Sequence, residues 1–109
     1  MNELLLCCNN PILIKSLYGV LRDDGYSIEL VDHPALAVQS ALKRRYYAVI
    51  LDSESIGLSA EEAAHIIKNF YPDMPIIIAG DAKYSSDALT VERPVDIEEI
   101  KKLIRNVHN

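Results

Sequence analysis

The chain has 109 residues and a formal charge of −5, with 16 acidic side chains against 11 basic ones. Half of it is hydrophobic and 25% is charged, a globular composition sized for one domain, residues 1–109, around one core. The acidic balance argues against sequence-independent nucleic-acid binding, which needs a positive footprint, and against an anionic membrane surface as partner.

Leu4-Leu5-Leu6-Cys7-Cys8 is short, continuous and apolar, the reading of a strand buried on both faces. Neighbouring strand residues point to opposite faces, so Cys7 and Cys8 are not expected to form a disulfide with each other. With no disulfide framework and no basic leader before the first apolar run, the expected compartment is the reducing cytoplasm. Asn10-Pro11 reads as an N-cap with proline at the first helical position. Ile14, Leu17, Val20 and Leu21 carry helical spacing up to Asp23-Asp24, and Gly25 supplies the stop.

Tyr26–Asp32 alternates and predicts a second strand, less buried on one face. Pro34 opens a second helix through Leu36, Val38, Ala41 and Leu42, ending in Lys43-Arg44-Arg45. Tyr47-Ala48-Val49-Ile50-Leu51 is a third strand that closes on Asp52. Ser59 with Glu62 makes a capping box for a helix through Ile66, Ile67 and Phe70. Pro75-Ile76-Ile77-Ile78-Ala79 is a fourth strand, and its run from Met74 is far too short to span a membrane. Leu89-Thr90-Val91 is a fifth strand. Asp96 with Glu99 caps a last helix whose core side carries Ile97, Ile100, Leu103, Ile104 and Val107. Alternating strands and helices predict right-handed crossovers and a parallel sheet covered on both faces. Only Gly80–Ala88 separates the last two strands, too little for a full crossover helix.

Sites in such sheets form beyond the carboxyl ends of the strands. Those ends carry Cys8-Asn9-Asn10, Asp32-His33, Asp52-Ser53-Glu54, Gly80-Asp81 and Glu92-Arg93-Pro94. On position alone, Asp52 does no more than end its strand and bond the next loop.

The order of these signals changes that weighting. Leu-Leu-Cys-Cys-Asn-Asn-Pro, then Gly25-Tyr26, Ala-Val-Ile-Leu-Asp52, Pro-Ile-Ile-Ile, and Glu-Arg-Pro before an acidic-capped helix resembles the receiver domain of two-component response regulators. The resemblance covers essentially the whole chain. It implies a three-layer, flavodoxin-like (CheY-like) α/β fold with a five-stranded parallel sheet, here with the fourth helix shortened or missing. It also implies that Asp52 is the phosphoacceptor position, and that partners are signalling proteins, a sensor histidine kinase or a downstream effector. It implies no enzyme beyond acceptance of a phosphoryl group.

The departures from the pattern are as informative. The family's acidic pair, which holds Mg²⁺, maps onto Cys8 and Asn9. The switch Ser/Thr maps onto Gly80, the near-invariant Lys onto Arg93, and the switch aromatic onto Thr90. The usual proline after the phosphoacceptor is Ile56, although Gly57 is kept. Mg²⁺ demands hard oxygen ligands, so Cys8, Asn9, Asp52 and Glu54 form at best a degenerate site. Without that cation, phosphoryl transfer to Asp52 loses the charge that neutralises the transferring group. Arg93 keeps a positive charge as a planar fork, and Gly80 has no hydroxyl to follow a phosphoryl oxygen. The expectation is a receiver-like domain acting through protein contacts, with no cofactor and a weakened Mg²⁺ site. The alternative is a working receiver phosphorylated on Asp52.

A more distant reading puts phosphate on Cys8, as in the IIB components of sugar phosphotransferase systems. That chemistry needs a Gly- or Ser-rich cradle, and Asn9-Asn10-Pro11-Ile12-Leu13 offers none. Cys8 is then a small buried residue. His33, His65 and His108 show no metal-ligand spacing. Lys43-Arg44-Arg45 beside Tyr46-Tyr47 reads as a basic helix end rather than a nucleic-acid patch. The family's usual dimer surface is remodelled around the missing helix, and Tyr84 and the loop Lys83–Asp87 become the candidate contact points.

Overall fold

The computed structural model describes residues 3–8, 10–52, 58–79, 88–91 and 97–106, leaving aside the side chains of Thr90 and Val91. Its elements in chain order are β1 (Glu3–Cys7), α1 (Pro11–Asp23), β2 (Ser27–Val31), α2 (Pro34–Lys43), β3 (Ala48–Asp52), α3 (Ala60–Phe70), β4 (Ile76–Ala79), β5 (Leu89–Val91) and α4 (Ile97–Asn106). The strands form one sheet in the order β2-β1-β3-β4-β5, with every neighbouring pair parallel. The parallel sheet covered on both faces is what the sequence pattern predicts, and the three-layer flavodoxin-like arrangement is what the resemblance implies.

Helix starts follow local chemistry. The Asn10 side chain accepts the N–H groups of Ile12 and Leu13, at 3.0 and 3.3 Å, and Pro11 occupies the first turn, where its missing N–H costs nothing. Ser59 and Glu62 form the expected capping box of α3. At α2 the cap is His33, whose Nδ1 accepts the Ala35 N–H at 3.0 Å. A histidine with no metal spacing thus has a structural task. Gly25 takes a φ of 93° in the turn from α1 into β2, a left-handed conformation that glycine adopts without a Cβ clash. The expected Asp96 cap lies outside the described residues.

Strand parity divides the core into two layers. Leu5, Cys7, Val49, Leu51, Ile76 and Ile78 pack toward α2 and α3, against Ala37, Ala41, Ala63, Ala64 and Ile67. Leu4, Leu6, Cys8, Ala48, Ile50 and Ile77 pack toward α1 and α4, against Leu17, Leu21, Ile100 and Ile104. Each fully buried aliphatic side chain contributes about 2 kcal/mol to this sandwich. Alanines on α2 and α3 let those helices approach the branched side chains of the sheet closely. β2 is an edge strand, so neither of its faces is fully covered and Leu30 stays 44% exposed. The predicted loss of a helix between β4 and β5 falls on residues 80–87, outside the described residues.

Helices run antiparallel to the strands they cover, so their carboxyl ends gather at the amino-terminal end of the sheet. There Arg44 pairs with Glu3 and, at 3.2 Å, with Glu29, and its guanidinium lies over the Tyr46 ring. Tyr46 donates its hydroxyl to Glu29 at 2.9 Å. Lys101 and Arg105 of α4 both reach Asp24 at 3.4 Å, joining the end of α1 to α4. Arg45 sits over the Tyr71 ring. Arg44 and Arg45 are therefore engaged within the fold, in keeping with a helix-end role for the basic run.

Candidate functional site

The opposite, carboxyl end of the sheet is where a site is expected, and the backbone register decides what meets there. β1 pairs with β3 so that Leu6 lies opposite Ile50 and Cys7 opposite Leu51. One residue further, Cys8 comes level with Asp52. Alternation along both strands then aims the two side chains toward the same layer. Both are buried: Cys8 is 2% exposed and Asp52 is 4% exposed, the one charged residue among the described buried set.

The two side chains touch. The Cys8 thiol donates to Oδ2 of Asp52 across 3.4 Å, a hydrogen bond buried at the head of the sheet. The Cys8 sulfur in turn accepts the Asn10 N–H at 3.4 Å. The Asn10 carbonyl is farther off, 3.9 Å from Sγ. A thiol has one proton, and the nearer, anionic acceptor takes it. Asn10 caps α1, so the same short segment starts the helix and steadies the sulfur.

Cys7, one residue earlier, points into the opposite layer and has no share in this contact. Burial, followed by the negative charge of Cys8, Asp52 and Asp32, pushes its thiol up from 9.0 to about 12. Cys7 thus stays protonated and inert at neutral pH.

An open cleft of about 500 Å³ runs between the ends of β1 and β2 and the first turns of α1 and α2. Cys8, Ile14, Leu30, Val31, Asp32 and Leu36 line it. The cleft gives Cys8 a route to solvent despite its low exposure, and sets the exposed Asp32 on the rim. Among the described residues, no three His, Cys, Asp or Glu side chains converge in a way that could hold a metal ion.

Of the candidate residues read from the sequence, the structure brings Asp52 and Cys8 together. Asn9, Glu54, Gly80 and Arg93 lie outside the described residues, as do Ile56, Gly57 and Tyr84. Thr90 stands in β5, opposite Ile78. Sequence reasoning placed Cys8 and Asp52 at neighbouring strand ends but missed their bond. Parity carried the signal: five-residue runs ending in Cys8 and in Asp52, set side by side in register, put both last residues on one face.

No protein-family model matches the chain, and no curated protein does. Solved structures do. The chain is similar to a response regulator receiver protein from Sinorhizobium medicae, at 19% identity over 97% of this chain and 93% of that one, with a TM-score of 0.87. It is similar to the receiver domain of a sensor histidine kinase from Pseudomonas aeruginosa, a structure with magnesium coordinated in its active-site cleft. There the identity is 23%, the coverage 99% and 98%, and the TM-score 0.84. It is also similar to the response regulator TrrA from Thermotoga maritima, in complex with Mg²⁺ and BeF, at 24% identity, 98% and 99% coverage and a TM-score of 0.86. TrrA is matched again in a complex with the histidine kinase ThkA, with a TM-score of 0.86. The chain therefore has the fold of the CheY-like receiver domains.

Proposed function

We propose that this chain is a receiver-like domain of two-component (phosphorelay) signal transduction that works mainly through protein–protein contacts, with phosphorylation of Asp52 weak or absent. The observation that carries this reading is the thiol on Asp52. In the resemblance to receivers, the position of Cys8 belongs to one of two carboxylates that hold Mg²⁺. Here it is a sulfur 3.4 Å from the acceptor carboxylate.

Magnesium prefers hard oxygen ligands in near-octahedral order and sheds its water reluctantly. A buried thiol supplies neither the charge nor the hardness, so the donor set does not fit this cation. Acceptance of a phosphoryl group then rests on positioning alone, without neutralisation of the transferring charge. Asp52 itself is intact and buried at the mouth of the central strand. That observation favours the second reading, a receiver still phosphorylated on Asp52 by a histidine kinase.

The receiver TrrA forms a complex with a histidine kinase, and a kinase or a downstream effector is the class of partner proposed for this chain. Beyond a phosphoryl group on Asp52, no catalytic activity is proposed. The cytoplasm remains the proposed compartment; no helix among the described residues is long and apolar enough to cross a membrane.

The test is a titration of the full chain with beryllofluoride and Mg²⁺, followed by NMR at the Asp52 amide, beside acetyl phosphate labelling read by mass spectrometry. The expected result is no saturable shift and no added phosphate. Saturable, Mg²⁺-dependent modification that disappears in Asp52→Asn would overturn the proposal in favour of the working receiver.

A further inference from the structure

Exposed aromatic surface and unpaired positive charge coincide where α2 and α3 end, at the opposite end of the sheet from Asp52. We infer that this patch, Leu42, Phe70 and Tyr71 rimmed by Lys43, Arg45 and Lys68, is the docking surface for an acidic, amphipathic segment of a partner protein. The inference deepens the proposed function and rests on its reading of the chain as a domain that works through protein contacts.

Helical spacing places Phe70 in line with the core residues of α3. Ala60, Ala63, Ala64 and Ile67 are all buried, and Phe70 follows Ile67 by three positions. Phe70 is nevertheless 64% exposed, so the apolar stripe of the helix continues after its cover ends. Tyr71 then turns to α2 and donates its hydroxyl to the Leu42 carbonyl at 3.3 Å, which joins the two helix ends into one surface. Leu42 is itself exposed. An uncovered aromatic ring beside further apolar area is the usual anchor of a protein–protein contact.

The rim of the patch is positive. Arg45 lies over the Tyr71 ring, 5.9 Å from its centroid, and Lys68 donates to the Pro72 carbonyl at 3.2 Å. Neither of them, nor Lys43 in the last turn of α2, pairs with a carboxylate among the described residues. Arg44 is drawn away to Glu3 and Glu29. Asp73 is the one carboxylate within residues 42–46 and 68–75. The helix dipole accounts for lysines in the last turns of α2 and α3, but not for an uncovered aromatic ring among them. A ligand that uses both features offers apolar side chains to Phe70 and carboxylates to the rim. The planar guanidinium of Arg45 suits one such carboxylate in two parallel bonds.

The net charge of −5 limits the size of that ligand. A nucleic acid or an anionic membrane meets the whole acidic chain and is repelled. A short acidic segment meets only the local field, because charges more than about 8 Å away are screened at physiological salt.

The experiment follows the amide NMR shifts of the full chain on titration with a synthetic amphipathic helix bearing Glu on one face and Leu and Phe on the other. Saturable shifts are expected at Leu42, Lys43, Arg45, Phe70 and Tyr71, and none at Asp52. Phe70→Ser should weaken binding about tenfold or more, and so should Lys43→Glu combined with Lys68→Glu. Both variants alter side chains outside the core. A peptide with Lys in place of Glu should not bind. Absence of shifts, shifts elsewhere on the chain, or binding that Phe70→Ser leaves intact would each overturn the inference. Binding of phosphatidylserine vesicles through the same residues would overturn it in favour of a membrane, and Phe70-dependent self-association in favour of a second copy. The beryllofluoride titration stays separate. A chain silent to both the peptide and beryllofluoride sinks this inference and leaves the proposed function standing, whereas a saturable beryllofluoride response sinks the proposed function itself.

Discussion

The two ends of the sheet are built from the same alternation of strands and helices, yet they treat charge in opposite ways. At the amino-terminal end, Glu3, Glu29, Arg44 and Tyr46 form one polar cluster, and Asp24, Lys101 and Arg105 form another. Most of these groups are partly exposed and can be solvated as well as paired. At the carboxyl end, the one buried carboxylate among the described residues meets a thiol. Paired charges in contact with water are tolerated almost anywhere and stabilise little. A buried carboxylate must be matched atom by atom, and whatever matches it decides its chemistry. The register of β1 on β3 brings the side chain at position 8 to Asp52. What that side chain can do then depends on one residue identity.

The sharpest way to break this contrast is to restore a carboxylate at the functional end. In Cys8→Asp the new side chain would face Asp52 at close to the present 3.4 Å, inside the core. Two buried carboxylates cannot both ionise there without a cation. Unfolding in urea without metal should show a loss of about 3 kcal/mol, the scale of an uncompensated buried charge. Millimolar Mg²⁺ should recover much of it, while the unmodified chain shows no Mg²⁺ effect on stability. Equal gains with Mg²⁺ in both proteins would mean that the thiol is no obstacle to the ion.

Alkali should separate the two ends by the pH at which each gives way. The Cys7 thiol, pushed up from 9.0 to about 12 chiefly by burial, keeps a proton that the unfolded chain has already lost. Its contribution is therefore complete below pH 9 and declines as the pH climbs from 9 toward 12, at roughly 1.4 kcal/mol per pH unit at the steepest. Tyr26 and Tyr46 are also pushed up, burial being the first cause in each, and their contributions decline only above pH 10. Chemical denaturation across this range should show Cys7→Ala to be less stable at neutral pH but flatter between pH 9 and 10. A slope unchanged by the substitution would place the alkaline loss at the tyrosine end.

Much of this fold was legible in the sequence because its determinants are local. Asn10-Pro11, Ser59 with Glu62, and Gly25 act within a turn of where they stand, and the structure uses each as the pattern implies. The apolar runs Leu4–Cys8 and Ala48–Leu51 needed no partner to be recognised as buried strands. Determinants that lie between elements were harder to read. His33 showed only that it has no metal-ligand spacing, because its capping bond is a matter of side-chain geometry rather than of residue type. Tyr26–Asp32 alternates as a half-buried strand should, yet its place at the sheet edge follows from strand order, and Leu30 is left exposed. The Cys8–Asp52 contact spans 44 positions and depends on register, which no window of neighbouring residues contains.

The smallest effect belongs to the polar end and sharpens the contrast by its weakness. Arg44 pairs with Glu3 and Glu29 and covers the Tyr46 ring. Its side chain is nevertheless half exposed, so water competes for every bond and dissolved salt screens each charge. Arg44→Ala should lower the melting temperature slightly in dilute buffer, and the difference should shrink further in high salt. It should leave the beryllofluoride response of the far end unaltered. Thermal melts at two ionic strengths check the first point, and the beryllofluoride titration followed by NMR checks the second. A large, salt-insensitive loss would mean that the cluster acts as a buried anchor, and the two ends would then differ less in physics than in residue type.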